Sequence, residues 1–122
     1  MIEDLRRRTL AADHNLAAAF QTYVASHLAE PIYNGSIARE LGVSVRTLHT
    51  TVTNTLGLAP QRYIRTERLG AAHAALERSP SDTLVKVVAR SCGFNHMGEF
   101  SQHYVLQFGE LPSQTARIAR QG

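Results

Sequence analysis

The chain has 122 residues, 43% of them hydrophobic and 19% charged. That suits one ordinary domain or two very small ones and excludes wholesale disorder. One cysteine, Cys92, excludes an internal disulfide framework and a multi-cysteine zinc site. The net charge is only +3, but 12 of the 13 basic residues are arginine and the pI is about 9.5, which favours an anionic partner. No apolar run reaches the roughly 18 residues of a membrane span. Arg6, Arg7 and Arg8 are followed by no apolar stretch that would make a secretory signal. The expected setting is a reducing compartment.

Apolar residues recur at intervals of three and four, and alternating strand patterns are nearly absent. A short helix is predicted over 3–11 and a longer one over 15–28, with Leu16, Phe20, Tyr23, Val24 and Leu28 on one stripe. Pro31 follows, and Asn34-Gly35 is turn chemistry. Ser36 reads as the cap of a helix carrying Ile37, Ala38 and Leu41, which Gly42 stops. Ser44 caps the next helix, whose buried face is Val45, Leu48, Val52 and Leu56, with Gly57 at its end. Pro60 opens a long helix to about Arg78, with Tyr63, Ile64, Leu69, Ala72 and Leu76 inward. Residues 79–82 read as a linker. Helices are predicted over 83–92 and 96–107, and a short tail helix after Pro112.

The chain repeats itself. Ala38 and Gly42 recur 51 residues later as Ala89 and Gly93. Leu48, Val52, Leu56, Gly57 and Pro60 recur 52 residues later as Phe100, Tyr104, Phe108, Gly109 and Pro112, so one residue is inserted in the turn after Gly93. Each copy is a short helix, a glycine turn, a longer helix and a Gly-x-x-Pro exit. A helix-turn-helix explains every recurring position. Ala38 and Ala89 allow a close helix crossing. Gly42 and Gly93 accept positive φ. Val43 and Phe94 pin the turn to the core. Ser44 and Asn95 cap a second helix whose opposite face is left for a major groove. A six- or seven-helix bundle with merely solvated polar faces fits the same periodicity.

The segments "IARELGVSVRTLH" (37–49), "LGLAPQRYIRTERLGAAHAAL" (56–76) and "GFNHMGEFSQHYVLQFGELPSQTAR" (93–117) resemble the DNA-binding region of the AraC/XylS family of bacterial transcription regulators. The likeness covers about residues 15 to 117, and "P-x-x-Y-x-x-x-x-R-L-x-x-A" with "GF…F…Y…FGE-x-P" makes it specific. It implies an all-α fold of about seven helices: an N-terminal linker or short helix over 1–14, helix-turn-helix subdomains over 15–59 and 79–122, and a linker helix over 60–78. Sequence-specific binding of double-stranded DNA would follow, with helices 45–56 and 96–107 in adjacent major-groove segments. RNA polymerase is an implied partner and the nucleoid, in the cytoplasm, the implied place. The family's reading region usually ends a longer protein, so an N-terminal effector or dimerisation domain is expected to be missing here, or the chain is a short stand-alone member.

Carried over residue by residue, the resemblance assigns base reading to Arg46, His49 and Thr50 on the first reading helix, and to Met97, Gly98, Ser101 and Gln102 on the second. It assigns DNA-backbone contacts to Ser44, Thr53, Arg62, Arg65, Lys86, Arg90, Asn95 and His96. Arginine can donate two bonds to guanine, and Gln102 can pair twice with adenine. Arg68 matches a position usually bound up in structure, and a salt bridge with Glu40 or Glu67 is expected. The sequence departs from the family in charge. Members commonly carry Arg or Lys at the positions of Thr50, Thr53, Gln102 and Val105; here none is basic, and Glu99 adds a negative charge to the second reading helix. Basic residues lie instead at Arg39, on the linker helix, at Lys86 and Arg90, and at Arg117 and Arg120.

His96, Glu99 and His103 share one helix face but lack a fourth ligand, so no metal and no cofactor is assigned. Cys92 reads as a small core residue. No glycine-rich phosphate loop, carboxylate pair or hydroxyl–histidine–acid arrangement argues for an enzyme. The competing function is a protein-interaction module on the same helices, with DNA binding weak or lost and Met97, Val105 and Leu106 as its apolar stripe.

Overall fold

The computed structural model describes residues 2–78 and 83–121. Among them are seven helices and no strand: α1 (Ile2–His27), α2 (Asn34–Leu41), α3 (Val45–Leu56), α4 (Pro60–Glu77), α5 (Val85–Ser91), α6 (Met97–Phe108) and α7 (Pro112–Gln121). The all-α architecture is the expected one. The linker expected at 79–82 and the side chain of Arg120 lie outside the described residues. Among the described residues no helix is long and apolar enough to cross a membrane.

The helices of the first unit depart from the sequence reading in two places. The helices expected over 3–11 and 15–28 are one continuous α1. Between them stand Ala12, Asp13 and His14, with no glycine or proline to interrupt the backbone ladder. His14 Nδ1 meets the Leu10 carbonyl at 2.8 Å, one turn back, so this histidine supports the helix at the expected break. The second is α2, which starts at Asn34, with Tyr33 and not Ser36 in the cap position. The Asn34 side chain is held from outside: Gln61 Nε2 donates to its Oδ1 at 2.8 Å and to the Ile32 carbonyl at 3.1 Å.

The chain forms two compact units, with the boundary inside α4 after Ile64; Leu28–Glu30 belong to the second. In the first, α1 packs on α2 and α3. Ala17, Phe20 and Val24 from α1 meet Ile37, Ala38, Leu48 and Val52 in its core, all buried. Tyr23, Leu28 and Leu56, expected on the inner stripes, are only half-buried. Phe20 packs against Tyr63 with ring centroids 5.3 Å apart. In the second unit, Leu69, Ala72 and Leu76 of α4 close over Val88, Ala89, Cys92, Phe100, Tyr104 and Ala116. Burial pushes the Cys92 thiol pKa up, which keeps it protonated and inert.

The repeat seen in sequence is a repeat of hydrogen bonds. Val43 N–H donates to the Ala38 carbonyl and Gly42 N–H to that of Arg39; Phe94 N–H donates to Ala89 and Gly93 N–H to Arg90. This paired closure of a helix end needs a left-handed residue, and Gly42 has φ 72° and Gly93 φ 96°. The inserted residue is also visible. Ser44, the cap of α3, follows Gly42 by two positions, whereas His96, the cap of α6, follows Gly93 by three.

The copies differ in what surrounds the glycine. A Cβ on Gly42 would meet nothing within 4 Å. A Cβ on Gly93 would collide with the Leu28 carbonyl oxygen and lie 2.7 Å from Arg68 Nε. Among the described residues Arg68 makes no carboxylate salt bridge, contrary to expectation. Its Nε donates to the Leu28 carbonyl at 3.0 Å and its Nη2 to the Glu30 carbonyl at 2.6 Å. Burial lowers the Arg68 pKa from its ordinary value, but a guanidinium remains charged at any pH the fold survives.

Two stability predictions follow from this packing. Leu48→Ala and Phe100→Ala should each cost about 2–5 kcal/mol by urea melting; a loss below about 1 kcal/mol at both would mean that the buried faces are wrongly assigned. Gly42→Ala should cost about 1–2 kcal/mol for the left-handed backbone alone. Gly93→Ala should cost about 2–5 kcal/mol, because a steric term of roughly 1–3 kcal/mol adds to the backbone term. Equal losses at the two glycines would contradict the crowding over Arg68.

Candidate nucleic-acid interface

Helix α3 is aimed from its first residue. The Ser44 hydroxyl accepts from Thr47 N–H at 3.0 Å, which caps the helix, and donates to Thr47 Oγ1, also at 3.0 Å. Leu48, Thr51 and Val52 then fall on the buried side. Arg46, His49 and Thr50, spaced i, i+3 and i+4, are all exposed, so they form one surface patch over the first two turns.

Two residues of the expected set on this helix stand differently. Thr53 is half-buried, and its Oγ1 is enclosed, with no hydrogen-bond partner among the described residues. Ser44 is exposed, but its donor and acceptor are both engaged by Thr47. Thr47 itself was not singled out from sequence. The signal was there, because a hydroxyl three residues after a cap serine is the spacing of a reciprocal cap.

Helix α6 starts without such a cap. His96 occupies the cap position and makes no side-chain bond to the helix, and Asn95, expected to be the cap, precedes it. The first N–H groups of α6 therefore have no side-chain cap, and Asn95 and His96 beside them are exposed. Gly98 and Gln102 are exposed and Ser101 is half-buried. Met97, expected among the base readers, packs against the core of the second unit together with Phe94 and Phe108. The aromatic run Phe94, Phe100, Tyr104, Phe108, with successive centroids 4.8, 5.5 and 4.7 Å apart, fixes the inner side of α6.

A buried polar chain anchors α6 to α7. Tyr104 Oη donates to Thr115 Oγ1 at 2.7 Å, and Thr115 donates to the Glu110 carboxylate at 2.9 Å. Burial is the main cause that raises the Tyr104 pKa, so the phenol stays a donor. No pattern in the sequence linked these three residues.

The cations divide between the units. Arg46 and Arg62, both exposed, belong to the first. Half-buried Arg65 and exposed Lys86 and Arg90 belong to the second, the last two at i and i+4 on α5. His96 and Glu99 are exposed and His103 is half-buried; among the described residues no three of His, Cys, Asp and Glu gather closely enough to hold a metal ion.

Comparison with known proteins agrees with this geometry. A helix-turn-helix domain family model matches residues 37–118. The chain is 36% identical to the HTH-type transcriptional activator RhaS of Escherichia fergusonii, across 97% of this chain and 42% of that protein. Among solved structures it is similar to a probable AraC family transcriptional regulator from Rhodopseudomonas palustris, with 30% identity, a TM-score of 0.78, and 86% of this chain and 97% of that chain covered. It is also similar to the DNA-binding domain of AdpA, a global transcriptional factor solved in complex with a target DNA, with 28% identity, a TM-score of 0.77, and 85% of this chain and 92% of that chain covered. The chain spans well under half the length of the curated relatives it matches, 29% and 42% for the first two. These relatives are regulators of transcription rather than enzymes, and the matched residues include both glycine turns and the helices that follow them: the chain belongs to the AraC/XylS family and corresponds to its C-terminal DNA-binding region of two helix-turn-helix subdomains.

Proposed function

We propose that this chain reads double-stranded DNA sequence-specifically for a bacterial transcription regulator, with α3 and α6 in adjacent major-groove segments. The observation that carries the reading is the exposed patch Arg46, His49 and Thr50 on the first turns of α3, where a recognition helix meets base edges. Arg46 would donate two bonds to guanine O6 and N7, His49 would donate or accept, and Thr50 would touch a thymine methyl. Residues 15–59 and 79–122 act as the two DNA-binding subdomains, joined by 60–78.

Arg62, Arg65, Lys86 and Arg90 supply phosphate contacts in this reading. Asn95, His96 and the open N–H groups at the start of α6 add neutral ones, since backbone N–H groups and helix N-termini also bind phosphate. Ser44 contributes by setting the helix start, and Thr53 and Met97 fall outside the contact set because both side chains turn inward. The relatives' greater length supports an N-terminal effector or dimerisation domain in the whole regulator, with RNA polymerase as its partner in the cytoplasm. A second reading, a protein-binding module, is favoured by Leu106, which stands 81% exposed on α6.

With three to five phosphates neutralised, the log–log dependence of DNA affinity on salt should have a slope of roughly −3 to −5. A slope near −8 would contradict a weak cationic grip by the second subdomain, and no measurable affinity for any duplex would favour the protein-binding reading. Arg46→Ala should lose about 1–3 kcal/mol and relax the preference for guanine at one position. Lys86→Ala should weaken all duplexes alike and flatten the slope by about 1. Quantitative binding to random and selected duplexes at several salt concentrations separates these outcomes.

A further inference from the structure

The outward side of α6 has a chemistry of its own. Gly98, Gln102 and Val105 follow one line along the helix at i, i+4 and i+7. Gly98 and Gln102 are exposed, and Val105 is 39% exposed. Ser101 lies on one flank of the line, and Glu99 and Leu106 lie on the other. Helix α6 contains no lysine or arginine. On α3 the corresponding surface is led by Arg46. The two helices therefore offer different hydrogen-bonding groups, a charged donor fork on α3 and an amide beside apolar atoms on α6.

Each base pair matches one of these sets better than the other. Guanine presents two acceptors, O6 and N7, which suit an arginine fork. Adenine presents an acceptor and a donor, N7 and N6, which suit the amide of glutamine, and its partner thymine carries a methyl group that favours apolar contact. Cytosine N4 needs an acceptor; Glu99 is the acidic candidate, but it stands off the line, in the first turn, where its carboxylate favours the helix N-terminus.

We infer that α6 selects A·T pairs, with Gln102 on adenine and Val105 on a neighbouring thymine methyl, so that the operator has a guanine-bearing segment for α3 and an A·T segment for α6. This inference rests on the DNA-reading function proposed above. It adds that the second subdomain contributes sequence discrimination while adding little salt-dependent affinity, because amide and apolar contacts release no counterions.

Gly98 provides a way to rewrite this surface. It lies inside α6, its φ is not positive, and a Cβ there would meet nothing within 4 Å. Gly98→Arg is therefore tolerated by the fold, and replacing a helical glycine removes a conformational-entropy cost. The test is selection from random duplexes with the whole chain and with Arg46→Ala, Gln102→Ala and Gly98→Arg, each checked for helix content by circular dichroism. The expected motif contains A·T pairs whose enrichment falls about five- to 150-fold in Gln102→Ala, with the rest of the motif intact. Gly98→Arg should introduce a guanine next to those positions and steepen the salt slope by about 1.

Gln102-dependent positions that prove to be G·C would overturn the inference and leave the Arg46 reading standing. A motif that neither α6 variant alters takes α6 out of the groove and overturns it equally. If Arg46→Ala also changes nothing, or no motif emerges, the DNA-reading function itself fails.

Discussion

The second subdomain is organised around one guanidinium. Arg68 reaches from α4 to the carbonyls of Leu28 and Glu30, two acceptors about 40 residues away in sequence. Hydrogen bonds from a charged donor are stronger than neutral ones, and a fork holding two of them fixes direction as well as distance. Gly93 lies against this fork so closely that no side chain fits between them. The turn that launches α6 is thereby seated on main chain from another part of the sequence. The positive φ of Gly93 and its missing side chain are two separate requirements, and glycine alone meets both.

The paired turns show how one motif serves two tasks. Both close their first helix with the same two backbone bonds. After Gly42 a single residue intervenes before the Ser44 cap, and α3 begins with its donors satisfied and an arginine in its first turn. After Gly93 an additional residue intervenes, and α6 begins with open N–H groups, a histidine in the cap position and no cation. An unsatisfied helix start in water has little penalty, but its free N–H groups are ready donors to a phosphate oxygen. In the DNA-reading proposal the sequence difference thus moves the backbone contact from side-chain charge to main-chain dipole.

What could be read from the sequence was local and periodic. The stripes of α3 and α6 (apart from Val45, expected inward and found exposed), the four glycine stops and the Ser44 cap each follow from spacing within one or two turns. What could not be read depended on partners without a side-chain letter. Arg68 was matched to a carboxylate because sequence offers only charged side chains as visible mates, whereas its acceptors are carbonyls of Leu28 and Glu30. Met97 occupies a helix start where polar exposure is usual, but its flexible thioether packs against the core of the second unit. The Thr53 hydroxyl was assigned to the DNA backbone from the family resemblance, and its enclosure depends on neighbours that helical spacing alone does not name. The break expected in α1 failed for a different reason, since Asn15 has cap chemistry but stands in an alanine-rich stretch with strong helix propensity.

Charge and discrimination are separable in such a protein. Phosphate contacts raise affinity for every duplex and weaken with salt, whereas base contacts raise affinity for few duplexes and are set by geometry. A reading helix rich in arginine performs both tasks at once, so its sequence preference is accompanied by strong nonspecific retention. Helix α6 has the groups for the second task and lacks those for the first. Its rigid setting then matters more than its charge, because an amide that discriminates adenine must be held to within a fraction of an ångström of its mark. The aromatic run from Phe94 to Phe108, the Tyr104–Thr115–Glu110 chain and the Arg68 seat under Gly93 all hold α6 from its inner side. In the DNA-reading proposal the helix braced in these three ways is one that carries no lysine or arginine, which is the arrangement expected of a helix that selects rather than grips.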